Sequence, residues 1–370
     1  MKKDISLKDK FIGCIAGVHV GSAMGAAVEC LTYQEIEEKY GMLDRFVPYM
    51  HYHDPEDPNA WMREAGTTED GVERQKLIIK AIIEKEDRIT AEDLRKAWID
   101  HMNPDAPGNL SEMFESKLLQ MAKTPMPATD IGKYCDYSGL VTLARACHPI
   151  GLINAGDIQH ALEDIYEVGK VYNAGNTKAI QWAGIVVTAI AEATKPNATV
   201  DSTLDSILRN RSTMINNFLG YNEMNVVNEI EKGLDLTANC KDFRDLREVF
   251  EDVYSGIGVP YPFSYANEVV TKGICIFKMV KGNLKDAIIT SVNMGRDTDC
   301  VAAIAAGISG ALTGWREIPE EWIQQVDYAT SINPYTFSKK TVKEHGTELY
   351  NSYKSKLKKL RLYIDEMDNY

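Results

Sequence analysis

The sequence predicts an all-α fold, and three observations carry that expectation. Apolar residues recur at three- and four-residue spacings through most of the 370-residue chain. No alternating strand series is present. Residues 301–314 form an Ala/Gly run with so little side-chain bulk that it belongs at the centre of a helical bundle.

The elements follow in order. "FIGCIAGVHVGSAMGAAVECLT" (11–32) reads as a helical run whose glycines 13, 17, 21 and 25 recur every four residues, leaving one face bare enough for another backbone to approach. These glycines match neither G-x-G-x-x-G nor a phosphate loop with its lysine. "RQKLIIKAIIEK" (74–85), "DIQHALEDIYEVGKVY" (157–172), "TKAIQWAGIVVTAIAEA" (177–193), "YANEVVTKGICIFKMV" (265–280) and "LKDAIITSV" (284–292) are amphipathic or buried helices. Loops are marked by "PEDPNA" (55–60), "NPDAPGN" (103–109), "TKPNAT" (194–199) and "GVPYPF" (258–263). None is long or biased enough to link independent domains, so residues 1–370 are expected to form one domain, with a C-terminal helical extension from about residue 335. Lysines in "KSKLKKLRLY" are expected on the solvated face of that last helix.

Composition narrows the class. No stretch of about 18 apolar residues spans a membrane, and the N-terminus lacks a secretion signal, so a cytoplasmic protein is expected. Seven scattered cysteines without a Cys-x-x-Cys pair argue against a disulfide framework or a zinc knuckle. A formal charge of −13, with no basic stripe, excludes nucleic acid as the expected partner. A small-molecule partner is expected; the oligomeric state is open.

Two acidic stretches share one grammar. "GRDTDC" (295–300) precedes the Ala/Gly run, and "EAGTTEDGVERQKLIIK" (64–80) places Thr67 and Thr68 before Glu69 and Asp70. Read singly, the acids or threonines are helix caps, since the N-terminal amides and dipole favour negative charge. Read together, two helix starts rich in carboxylate and hydroxyl oxygens suit hard divalent cations such as Mg²⁺ or Mn²⁺. Buried carboxylates need such compensation.

"GVHVGSAMGAAVE" (17–29), "TEDG" (68–71) and "GRDTDCVAAIAAGISGALTG" (295–314) appear in this order. They resemble the ADP-ribosylglycohydrolase family, whose patterns run G-x-x-x-G-D-A-x-G-x-x-x-E, T-D-D-T and G-G-D-T-D-T-x-A-x-x-x-G-x-x-x-G-A-x-x-G. The resemblance implies a compact, single-domain orthogonal helical bundle. It also implies a centre of two Mg²⁺ or Mn²⁺ ions that hydrolyses a glycosidic bond at C1 of ADP-ribose, with a small-molecule or ADP-ribosylated substrate as the partner. Carried over by position, Thr68, Glu69, Asp70, Asp297, Asp299 and Cys300 are implied metal ligands, and Glu29 or Asp70 the group that takes a proton from water. Ser22, Arg145, Gly295 and Arg296 are implied on the substrate side. The five carboxylates then face four positive charges on two ions.

The departures are specific. Ser22 stands where the family has Asp, Gly71 and Cys300 where it has Thr, and Arg296 where it has Gly. "YSGLVTLARACHPIGL" (137–152) keeps Arg145, Pro149, Ile150 and Gly151 but loses the Gly/Asn-rich run, and "NAGNT" (173–177) replaces a Thr-His. These changes leave two alternatives beside an ADP-ribosyl hydrolase: a glycosidase or nucleosidase for a small glycoside, and a non-catalytic ADP-ribose-binding or structural relative.

Other residues have ordinary readings. His19 and His148 are expected in the core. His51, His53, Asp54, Glu56 and Asp57 are expected in a solvated loop, and Tyr261, Phe263 and Tyr265 in packing or in stacking on a base or sugar.

Overall fold

A computed structural model describes residues 5–49, 63–104, 106, 113–136, 139–174, 178–210, 225–254 and 264–370. Among these residues it contains 18 α-helices, two 3₁₀ helices and no strand, in one compact all-α domain. The sole β-type pairing among them joins Leu140 to Tyr265. The loop carrying His51 to Asp57, together with Tyr261 and Phe263, lies outside the described residues.

Two helices form the axis. The first, Leu7–Ala26, starts in a reciprocal capping box between Ser6 and Asp9. Its periodic glycines lie against the Thr298–Thr313 helix, and the pairing runs antiparallel. A Cβ on Gly13 would meet the Gly310 carbonyl at 2.5 Å, one on Gly17 the Ala306 carbonyl at 2.3 Å, and one on Gly25 the Asp299 Cα at 2.6 Å. The bare stripe therefore admits backbone rather than side chains. The consequence is positional: the acid-bearing start of one helix lies beside the end of the other.

Around this pair pack the helices Lys178–Ala193, Ala266–Met279 and Leu284–Val292. The Asp70–Lys85 helix lies against Thr142–Ala146 and His148–Ile153, which sets Asp70 beside Arg145. His19 and His148 are buried, with Gln75 between them: Gln75 Oε1 is 3.1 Å from His19 Nε2, and its Nε2 is 3.4 Å from His148 Nδ1.

The last helix, Val342–Asp368, buries Val342, His345, Gly346, Leu349 and Ser352, and ends in exposed residues 360–370. Its lysines are not all solvated. Lys356 donates to the Ile153 carbonyl and the Asn154 side chain at 3.0 and 2.9 Å, because the helix lies on that corner. No helix among the described residues is long and apolar enough to cross a membrane.

Candidate active site

The site assembles where the two axial helices meet the Asp70–Lys85 helix. Glu29 follows the end of the first helix, and the 295–296 turn is clamped against this segment. Arg296 N–H donates to the Leu31 carbonyl at 2.7 Å, and Cys30 N–H donates to Arg296 O at 2.9 Å. Both turn residues have positive φ, Gly295 at 73° and Arg296 at 65°. At Gly295 a side chain is also excluded by space, since a Cβ would meet Tyr33 N at 2.5 Å. Thr298 Oγ1 ties the following helix to the Gly25 carbonyl at 2.8 Å.

The capping expectation fails at both helix starts. Asp297 occupies the N-cap place with φ −88° and ψ 64°, and its side chain makes no capping hydrogen bond. Glu69, not Thr67 or Thr68, is the N-cap residue of Asp70–Lys85, also without a side-chain cap. Thr67 instead returns its hydroxyl to the Glu64 carbonyl at 2.7 Å. The carboxylates of Asp297 and Glu69 are thus left for something other than the helix amides.

They converge on each other. Oxygens of Glu29, Glu69 and Asp299 lie within 4.8 Å of one another, and so do ligand atoms of Asp297, Asp299 and Cys300, all buried. Burial, then the Asp299 charge, raises Asp297 to about 8. Burial, reinforced by Asp299 and Asp297, pushes Glu29 well up; burial with Glu29 and Asp299 does the same to Glu69. Burial likewise keeps the Cys300 thiol protonated, against the opposing Arg145 charge. Both oxygens of Asp297 and Oδ1 of Asp299 are buried without any hydrogen-bond partner, as is Ser22 Oγ. Orphaned, mutually repelling hard oxygens fit a divalent cation, which Asp297, Asp299, Glu29 and Glu69 would hold.

Asp70 is different. Burial pushes its pKa upward, but Arg145 and Arg74 overcome it and hold the carboxyl below its ordinary value. Arg145 Nη2 lies 2.9 Å from its Oδ1, Gly71 N–H donates to the same oxygen at 2.6 Å, and Arg74 Nη2 lies 2.6 Å from Oδ2. Arg145 also reaches Asp299 Oδ2 at 2.8 Å and donates to Cys300 Sγ at 2.8 Å.

Of the residues implied by the motifs, Glu29, Glu69, Asp297, Asp299 and Cys300 are brought together, with Asp70 joined through Arg145. Thr68 is buried at the Glu69 helix start. Arg296 has a carboxylate partner of its own: its guanidinium forks onto Glu268 at 2.7 and 2.9 Å, a carboxylate that also holds Lys272. Sequence reasoning missed Arg74 and its buried bidentate partner Glu115, at 2.5 and 3.1 Å. The Asp70-to-Arg74 spacing of four was a legible signal; the distant Glu115 offered none.

The fold is shared with known proteins. A solved structure described as an ADP-ribosylglycohydrolase-related protein complex shares the fold, with a TM-score of 0.64 over 94% of this chain and 99% of that one, at 13% identity. An uncharacterized protein of Archaeoglobus fulgidus is 27% identical over 321 residues, covering 86% of this chain and 92% of that protein. The Escherichia coli protein YegU, also uncharacterized, is 23% identical over 356 residues, covering 90% and 99%. Residues 3–353 match the family profile described as ADP-ribosylglycohydrolase, so nearly the whole chain, acid cluster included, belongs to the ADP-ribosylglycohydrolase family.

Proposed function

We propose that this chain is a divalent-metal-dependent glycohydrolase that cleaves an ADP-ribosyl or related N- or O-glycosidic bond. The observation that carries the reading is the convergence of Glu29, Glu69, Asp297 and Asp299 with three carboxylate oxygens buried and unpartnered. When bound, Mg²⁺ or Mn²⁺ supplies orientation of sugar hydroxyls and a more acidic water.

The chain's own groups divide the remaining work. The bond from C1 to the leaving group breaks through an oxocarbenium-like state, so a carboxylate near C1 lowers the barrier, and a positioned base takes the proton of the attacking water while the leaving group departs with a proton. Glu29 suits the proton transfer: it follows the end of the first helix, is the most exposed of the five acids, and has a raised pKa. Asp70, the other candidate, is clamped by two arginines and a backbone amide, which makes it a weak base. Asp297 and Asp299, fully enclosed, serve as ligands rather than proton carriers.

A second reading has its own support. Arg145 and Arg296, the arginines assigned to substrate by position, both carry carboxylate partners, which favours a substrate without a diphosphate. Turnover of ADP-ribosyl-arginine, ADP-ribosyl-serine and O-acetyl-ADP-ribose, compared with a panel of nitrophenyl glycosides, separates the two. Hydrolysis confined to simple glycosides assigns a glycosidase or nucleosidase. Hydrolysis that survives EDTA contradicts the metal dependence, and the absence of turnover on every substrate returns the chain to a binding or structural role.

A further inference from the structure

The family patterns place Thr at the positions of Gly71 and Cys300, and both departures face one group. A Cβ on residue 71 would lie 1.8 Å from Arg145 Nε and 2.3 Å from its Cζ. The observed guanidinium and any side chain at position 71 therefore exclude each other. Cys300 Sγ accepts from Nη1 of the same guanidinium at 2.8 Å.

Arg145 consumes ligand oxygens. Asp70 has one oxygen taken by Arg145 and the Gly71 amide, and the other by Arg74. Asp299 has Oδ2 taken by Arg145, and only Oδ1 remains without a partner. Both oxygens of Asp297 remain. The carboxylate oxygens left buried without a partner are thus the two of Asp297 and Oδ1 of Asp299, and none of them belongs to Asp70. An additional dication at Asp70 would have to displace two guanidinium contacts and sit against like charge.

We propose that Arg145 is the resident cation of the Asp70 half of this cluster, so that the chain binds one divalent ion, where the family resemblance implies two. The inference rests on the divalent-metal reading given above. Gly71 opens the space that the guanidinium occupies. Cys300 replaces a hydroxyl ligand with a thiol, a poor partner for Mg²⁺. Arg145 acts as a positioning residue: it holds Asp70 and Asp299 relative to each other.

The test is metal stoichiometry on the full chain, by equilibrium dialysis with Mn²⁺ and by electron paramagnetic resonance. The wild type is expected to bind one Mn²⁺ per chain with the spectrum of an isolated ion. Arg145→Gln is expected to bind two, with the spectrum of a coupled pair. Gly71→Ala, which forces the flexible guanidinium out of its place, should gain the second ion by a different route and serves if Arg145→Gln does not fold. Two coupled ions in the wild type overturn the inference and leave the metal reading standing. No bound Mn²⁺ overturns both. A folded Arg145→Gln that still binds one ion overturns the role given to Arg145.

Discussion

Asp297 and Asp299 look equivalent in the sequence and differ in the fold. Asp297 has no partner on either oxygen, whereas Asp299 shares one oxygen with Arg145. Asp297→Asn removes a buried charge and breaks no ion pair. In metal-free buffer near pH 8 its melting temperature should rise above that of the wild type, while the stabilisation by Mn²⁺ is lost and activity falls on the order of a hundredfold. A cap would behave otherwise, because Asn caps about as well as Asp. Glu29→Gln should weaken metal binding less than Asp297→Asn does, yet at saturating metal still lose roughly 10²- to 10⁴-fold in kcat, the range for a missing general acid or base. Metal affinity measured beside kcat checks the split.

At the scale of elements, the glycine stripe is structural. Gly17→Ala drives a methyl into the Ala306 carbonyl, which belongs to a buried helix and has no room to yield. Destabilisation of about 1–3 kcal/mol or more follows. Gly184→Ala is the contrast: its nearest new neighbour is Leu162 Cδ2 at 3.4 Å, so the better helix former should be neutral or stabilising. Denaturant melts of the two variants check the difference. The stripe was legible because helical period alone aligns residues four apart. The capping expectation failed because the backbone angles at Asp297 are set by the turn clamped on Leu31, a contact between segments more than 260 residues apart. Arg145 was marked by its motif, but its contacts with Asp70, Asp299 and Cys300 were not legible, for the same reason: three separate segments bring them together. The acids themselves were legible as short-range pairs, but which of their oxygens stay free is a property of packing.

Across the whole molecule, the raised carboxyls link stability to pH. In the metal-free protein burial and the Asp299 charge raise Asp297 to about 8 in the folded state, above its ordinary low value in the unfolded chain, and burial raises Glu29 and Glu69 in the same direction. The folded state therefore holds protons that the unfolded chain has released, and stability is lost as pH rises through the folded values. Buried His19, His148 and His345, all held neutral by burial, oppose this only below about 6.5, and Lys10, lowered to about 8, only above that. Between pH 6.5 and 8 the metal-free melting temperature should fall. Saturating Mn²⁺ should abolish that slope, because the ion takes the place of the protons and neither state then holds them. The central claim, that these carboxylates are a cation site, is tested most directly by anomalous scattering from Mn²⁺-soaked crystals. The account predicts a peak among Asp297, Asp299, Glu29 and Glu69; a cluster that shows no peak at millimolar Mn²⁺, in a protein that still turns over, would contradict it.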